Sequence, residues 1–107
     1  MQEYTKVYLD SFGLDETDYV KCECCDNKAT EIHHILTRKK LSSHLIRIEN
    51  LMAICRTCHE EYGDRIYLMA MLLTIHQKIL ELKEIPHNPK FFEFYIEKYK
   101  NLTELKG

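Results

Sequence analysis

The chain has little of several features that mark particular protein classes. Glycine occurs three times and proline twice in 107 residues, so long disordered linkers are not expected. No apolar run approaches the roughly 20 residues that a transmembrane helix needs, so no membrane contact is expected. The first residues lack a charged region followed by an apolar one, so we expect no signal peptide and a cytoplasmic location. These absences indicate a small globular protein, and the length predicts one domain.

A strong net charge is also absent. The formal charge of −2 argues against a protein that binds nucleic acid over a wide surface. The charge is uneven, however, because residues 32–48 contain no Asp or Glu and carry Arg38, Lys39, Lys40 and Arg47. This basic segment is either a solvated loop or a surface that binds phosphate groups.

Cysteine, by contrast, is frequent, with five in this short chain. Four of them form two Cys-x-x-Cys pairs, Cys22 with Cys25 and Cys55 with Cys58. In a reducing compartment such pairs favour a metal over disulfide bonds. Four thiolates around one ion are typical of a closed structural zinc site, so we expect a zinc knuckle. Redox-active pairs are the alternative, and the spacing leaves Cys24 as a free or buried cysteine without an assigned role.

The hydrophobic pattern predicts that these pairs lie on a hairpin and a helix. We expect an N-terminal helix over residues 2–12 that ends at Gly13, which can adopt the left-handed conformation. Strands are expected at 30–36 and 51–54, followed by a helix over 55–62.

The second half of the chain predicts further helices. After a break at Gly63, with Asp64 as its N-cap, a helix is expected over 64–84. Much of this helix is apolar on all faces, which indicates either the core or a homodimer face. Asn88 as N-cap and Pro89 in the first turn predict a final helix.

Three histidines accompany the cysteine pairs. His33 and His34 lie in the first expected strand, and His59 directly follows Cys58. Neutral imidazole is both a ligand for divalent transition metals and a general base near pH 7. Successive strand side chains point to opposite faces, so both strand histidines enter one site only if the strand ends, twists or bulges there. Otherwise only one of them is functional. His76, on the long helix, is expected to be structural.

Three motifs together resemble an HNH endonuclease of the zinc-containing phage and bacterial type. They are Glu31-Ile32-His33-His34-Ile35, Asn50-Leu51-Met52-Ala53-Ile54-Cys55 and Cys55-x-x-Cys58-His59.

The resemblance covers residues 22–63 and implies a ββα-metal core, related to the treble clef and to the His-Me finger. The whole chain is then an α+β, mainly helical fold with a four-cysteine zinc knuckle and flanking helices. We expect a single nuclease domain, in which 1–21 form a helix and connector, 22–63 the core and 64–107 the C-terminal helices.

The resemblance also implies roles for individual residues. His34 matches the general base, and Asn50 matches the asparagine that orders the loop and orients that base. His59 matches a ligand of the catalytic ion, and His33 stands where many relatives carry Asp as the other ligand. Arg38 matches a basic residue common after the paired histidines. The implied cofactors are a structural Zn²⁺ and a catalytic Mg²⁺, Mn²⁺ or other divalent transition metal.

Together these expectations describe a metal-dependent endonuclease acting on DNA in a bacterial or phage-infected cell. It would hydrolyse phosphodiester bonds by a one-metal mechanism and leave 5′-phosphate and 3′-hydroxyl ends. The alternative is a non-catalytic zinc module that binds nucleic acid or a protein. A targeting protein partner is also expected, because no long specificity-reading segment is evident.

Overall fold

The computed structural model describes residues 2–36 and 46–106, with side chains described up to residue 101. Its elements in chain order are helix α1 (Glu3–Phe12), strands β1 (Glu31–His34) and β2 (Leu51–Ile54), and helices α2 (Arg56–Tyr62), α3 (Met69–Leu82) and α4 (Pro89–Lys106). Short 3-10 turns precede β2 and α3, at Ile48–Asn50 and Ile66–Leu68. The chain is therefore mixed helix with a small two-stranded sheet, as the sequence predicted. None of the helices in the described part of the chain is both long and apolar enough to cross a membrane.

The two strands form an antiparallel hairpin, in which His33 lies opposite Met52 and His34 opposite Leu51. All four residues of β2 are fully buried, which explains their continuous apolar character. The position of β2 was predicted correctly, whereas β1 is shorter than the expected strand at 30–36. The hairpin places the start of β1 beside the end of β2, from which the chain continues into α2.

Helix α1 packs on this hairpin through Tyr8, which clusters with Leu51 and Ala53 of β2, and Leu9 of the same helix is also buried. The helix ends as predicted at Gly13, whose φ of 68° is the left-handed conformation that glycine adopts without steric cost. The Gly13 N–H donates to the carbonyl of Asp10 at 3.2 Å.

Helix α3 is shorter than the sequence predicted. It begins at Met69 rather than at Asp64, and the prediction that Asp64 caps it is wrong. Asp64 has a φ of 59°, so the chain turns sharply there instead of entering a helix. The Arg65 side chain then donates back to the carbonyls of Glu60 and Glu61, and so caps the end of α2.

The apolar face of α3 is largely buried within the chain, which supports the core interpretation. Its contacts with α4 are the most extensive between any two elements of the described chain. The buried residues of α3 are Met69, Leu72, Leu73, His76 and Leu80. A homodimer through this helix stays a prediction.

Helix α4 begins as predicted, since the Asn88 side chain accepts the Lys90 N–H at 3.0 Å. The Asn88 N–H in turn donates to the buried carboxylate of Glu49 at 2.7 Å. Phe92 and Tyr99 of α4 are fully buried against the core.

One buried polar network connects the hairpin to the helices. The Glu23 carboxylate accepts the Tyr8 hydroxyl at 2.6 Å and the Ala53 N–H at 3.2 Å, and it lies 2.6 Å from Nδ1 of His76. Nε2 of His76 lies 2.6 Å from the Ile48 carbonyl oxygen. Both ring nitrogens of His76 thus lie within hydrogen-bond distance of an oxygen atom, and the buried ring is held on both sides. His76 is therefore structural, as predicted.

Candidate metal centre

Four cysteines gather beside the hairpin, and they are the four that the sequence predicted. One sulfur from each of Cys22, Cys25, Cys55 and Cys58 lies within 4.8 Å of all the others. The sulfurs of Cys25 and Cys55 are 3.7 Å apart. Four sulfurs at about 2.3 Å from a tetrahedral zinc ion would be separated by about 3.8 Å, so this cluster fits zinc.

Local backbone geometry positions the cysteines. The loop that carries Cys22 and Cys25 is closed by the Cys22 N–H, which donates to the Asn27 carbonyl at 2.8 Å. Cys55 is the N-cap of α2, and its sulfur accepts the Cys58 N–H at 3.5 Å. That backbone donor is the main reason why the pKa of Cys55 is lowered to about 7, whereas burial raises the pKa of Cys58, so Cys55 becomes a thiolate more readily than Cys58 when no metal is bound.

Cys24 lies outside this group of four. Its sulfur is 3.9 Å from the sulfur of Met52, in a half-buried position. Burial raises the pKa of Cys24 to about 12, so it remains a thiol and packs as an apolar side chain.

A second cluster contains His33, His59 and Asp64, each of which offers one ligand atom within 4.8 Å of the others. The rings of His33 and His59 are 4.7 Å apart between centroids. His33 is 5% exposed, and its Nε2 is buried with no hydrogen-bond partner among the described residues. Such an orphaned nitrogen fits a metal ligand. Burial, and secondarily the charge of His59, lowers the pKa of His33 to about 4, so the ring is neutral and can coordinate an ion at pH 7.

His59 is held between two carboxylates. Its Nδ1 lies 3.0 Å from Oε1 of Glu31, and its Nε2 lies 3.5 Å from Oδ2 of Asp64. Gly63 packs directly against the His59 ring, and a Cβ at this position would overlap with Cδ2 of His59. These contacts leave the ring little freedom to rotate, and they direct Nε2 toward the second cluster.

His34, the predicted general base, packs against α1. Its ring lies 4.8 Å from the ring of Tyr4. The alternation of side chains along β1 thus directs His33 toward His59 and His34 toward Tyr4. The two histidines remain near enough that His34 is a minor contributor, after burial and His59, to the lowered pKa of His33.

Asn50 is fully buried where the hairpin opens into the loop. Its Oδ1 accepts the Leu36 N–H at 2.8 Å, and its Nδ2 donates to the Leu36 carbonyl at 3.2 Å. The Asn50 carbonyl also accepts the Ile35 N–H at 3.0 Å. These three bonds hold the chain that directly follows His34.

The predicted basic segment is described only in part. Arg47 pairs with Glu49 at 3.1 Å and lies over the Phe91 ring, 5.3 Å from its centroid. The other members of the segment, Arg38, Lys39 and Lys40, lie outside the described residues.

Three neighbours of the histidines were not predicted, namely Glu31, Asp64 and Tyr4. Glu31 lies two residues before His33 on a strand, so the period of two already placed the pair on one face. Asp64 lacks such a signal, because its position depends on a left-handed backbone. Tyr4 is brought to His34 by the packing of α1, which local spacing does not determine.

The fold and the two clusters define a small mixed helix and sheet protein with two candidate metal centres. One centre consists of four cysteines, and the other consists of two histidines and an aspartate. Residues 22–65 match the family model described as HNH endonuclease, which confirms the resemblance for this segment. The match indicates a nuclease or another function related to nucleic acid. No curated protein and no solved structure matches the chain.

Proposed function

We propose that the protein is a metal-dependent HNH endonuclease that hydrolyses DNA. In this proposal β1, β2 and α2 form a ββα-metal core, and the four cysteines hold a structural zinc ion. The family match of residues 22–65 supports the nuclease class. The observation that carries the proposal is the pairing of His33 with His59 across the hairpin and α2, with the buried Nε2 of His33 available as a ligand atom.

His33 and His59 would hold the catalytic divalent ion. When bound, such an ion polarises the phosphate and stabilises charge on the leaving oxygen. Imidazole ligands carry no negative charge, so His33 and His59 would not cancel the positive charge that an anionic phosphate requires. Mg²⁺, Mn²⁺ or another divalent transition metal suits this role.

His34 would act as the general base. Its imidazole takes a proton from a water molecule, and the water oxygen forms a bond to phosphorus while the bond from phosphorus to the 3′ oxygen breaks. The 3′ oxygen then takes a proton from solvent, which yields 5′-phosphate and 3′-hydroxyl ends. Asn50 assists by holding residues 35 and 36, and thereby the end of β1 where His34 lies.

Plasmid nicking tests the proposal. Zinc-loaded protein is incubated with supercoiled plasmid and Mg²⁺ or Mn²⁺, and open-circular and linear products are measured. We expect cleavage by the native protein and a loss of about 10²–10⁴-fold in the His34→Ala variant, the range typical of a general base. His87→Ala is the matched control, because His87 lies near α4, where its ring packs on Phe92 and bonds the Ile85 carbonyl.

A native protein that binds DNA in a gel-shift assay without cleaving it would contradict the enzymatic proposal and favour the non-catalytic zinc module. Cleavage that survives His34→Ala unchanged would instead contradict the role of His34 as base.

A further inference from the structure

We propose that Asp64 is the third protein ligand of the divalent ion held by His33 and His59, an inference that rests on the metal site of the proposed function. The two histidines alone form an incomplete set of ligands. The Asp64 carboxylate lies beside them, 3.5 Å from Nε2 of His59, and its ligand atom is within 4.8 Å of theirs.

The backbone supplies an independent argument. Asp64 has a φ of 59°, a conformation that only a few per cent of non-glycine residues adopt. The preceding residue, Gly63, passes so close to His59 that its missing Cβ would lie 2.6 Å from the His59 carbonyl oxygen. The close approach of Gly63 and the left-handed backbone of Asp64 thus turn the chain back toward the His59 ring directly after the end of α2.

The exposed ion pair between Asp64 and His59 contributes too little stability to explain this turn. Asp64 is 64% exposed, and solvent screens most of the attraction between exposed charges. Nε2 of His33, by contrast, is buried without a hydrogen-bond partner among the described residues, and it belongs to the same cluster. A metal ion would satisfy this nitrogen, Nε2 of His59 and the carboxylate together.

A carboxylate ligand also affects the choice of metal. Imidazole nitrogen suits zinc, copper, iron and nickel, whereas carboxylate oxygen suits magnesium and manganese. Asp64 therefore makes the site better suited to Mn²⁺ and Mg²⁺ than two imidazoles alone would be.

Manganese binding tests the inference without using activity. Zinc-loaded protein is titrated with Mn²⁺, and free Mn²⁺ is counted from its paramagnetic resonance signal. Asn tolerates the left-handed conformation, so Asp64→Asn removes the charge and retains the turn. We expect it to weaken Mn²⁺ binding on the order of 100-fold, the upper end of what loss of a metal-orienting partner costs. Glu60→Gln, an exposed charge removal on α2, is expected to leave binding unchanged.

The controls separate the two proposals. If Asp64→Asn binds Mn²⁺ as the native protein does while His59→Ala does not, Asp64 is no ligand and the proposed metal site stands. If the native protein itself binds no Mn²⁺, the proposed metal site fails and the inference fails with it. Circular dichroism and zinc content verify that each variant is folded.

Discussion

Glu31 lies 3.0 Å from Nδ1 of His59, on the side of the ring opposite Asp64. Metal-binding histidines commonly have a carboxylate at their second nitrogen, which fixes the tautomer and the ring orientation, and Glu31 makes this close approach without the alignment of a full hydrogen bond. Glu31 reaches this position because it shares a face of β1 with His33.

Replacing Glu31 is therefore expected to weaken Mn²⁺ binding. The Glu31→Gln variant should bind Mn²⁺ about 10–100-fold more weakly, since His59 loses the carboxylate that orients it. Arg56→Gln is the matched control, because Arg56 lies 3.8 Å from the same Glu31 oxygen and is 71% exposed. Equal losses of Mn²⁺ affinity in both variants would indicate a general effect of charge and would contradict an orienting role of Glu31 on the His59 ring.

Gly63→Ala tests the close approach at His59. The added Cβ overlaps with the His59 ring, so we expect Mn²⁺ affinity to fall at least about tenfold. Overpacking should also lower the free energy of unfolding by about 1–3 kcal/mol. Gly13→Ala is the control, because Gly13 has a φ of 68° but open space around its Cβ position. It should lose stability and keep its Mn²⁺ affinity, and a loss of Mn²⁺ affinity in this control would contradict the steric argument.

The Glu23 network predicts a large effect on stability. Glu23→Ala leaves the buried Nδ1 of His76, the Tyr8 hydroxyl and the Ala53 N–H without their shared partner, so the free energy of unfolding should fall by at least about 1–3 kcal/mol. Tyr8→Phe removes one hydrogen bond to the same carboxylate and should cost about 1.5–3 kcal/mol. Urea unfolding in excess zinc measures both values. A Glu23→Ala variant as stable as the native protein would contradict a stabilising role for this buried network.

His33 predicts a dependence of stability on pH. Its pKa is about 4 in the folded chain, against 6.5 for an ordinary histidine. Below pH 6.5 the unfolded chain therefore binds a proton that the folded chain does not, and stability falls as the pH decreases. Without added divalent ions, we expect His33 to account for roughly 2 kcal/mol of the loss between pH 7 and pH 5.

The His33→Gln variant removes this contribution, together with the electrostatic coupling of His33 to its neighbours His59 and His34. The native protein should lose more stability than the variant over this range of pH, as measured by urea unfolding. If the free energy of unfolding depended on pH in the same way in both proteins, His33 would not be buried as a neutral ring.

Removal of zinc should unfold the cysteine loop and α2. Structural zinc contributes about 10 kcal/mol or more in small zinc-binding peptides, so a strong chelator is expected to reduce the helical circular dichroism. Cys24→Ser should still contain one zinc ion per chain, since Cys24 lies outside the four-sulfur cluster. If removal of zinc left the circular dichroism unchanged, the zinc ion would have no structural role.

Local patterns predicted much of this molecule, because they depend on neighbours in sequence. The four-sulfur cluster follows from two Cys-x-x-Cys turns, and the start of α4 follows from Asn88 and Pro89. The network of Glu23 and His76 joins residues 53 positions apart, which no local spacing reveals. The turn at Asp64 was missed for a different reason, since an unusual φ in a non-glycine residue has no sequence signal of its own.

Glu23 lies between the two cysteines of the first pair, and its carboxylate bonds to α1, β2 and α3. The short loop of the first cysteine pair therefore connects the four-cysteine cluster to α1 and α3 through the Glu23 carboxylate. The cysteine loop and α3 should then open as a single cooperative unit, with matching free energies of opening in amide hydrogen exchange. In that case the ligand-bearing loop would share the full stability of the protein, whereas such loops usually open first.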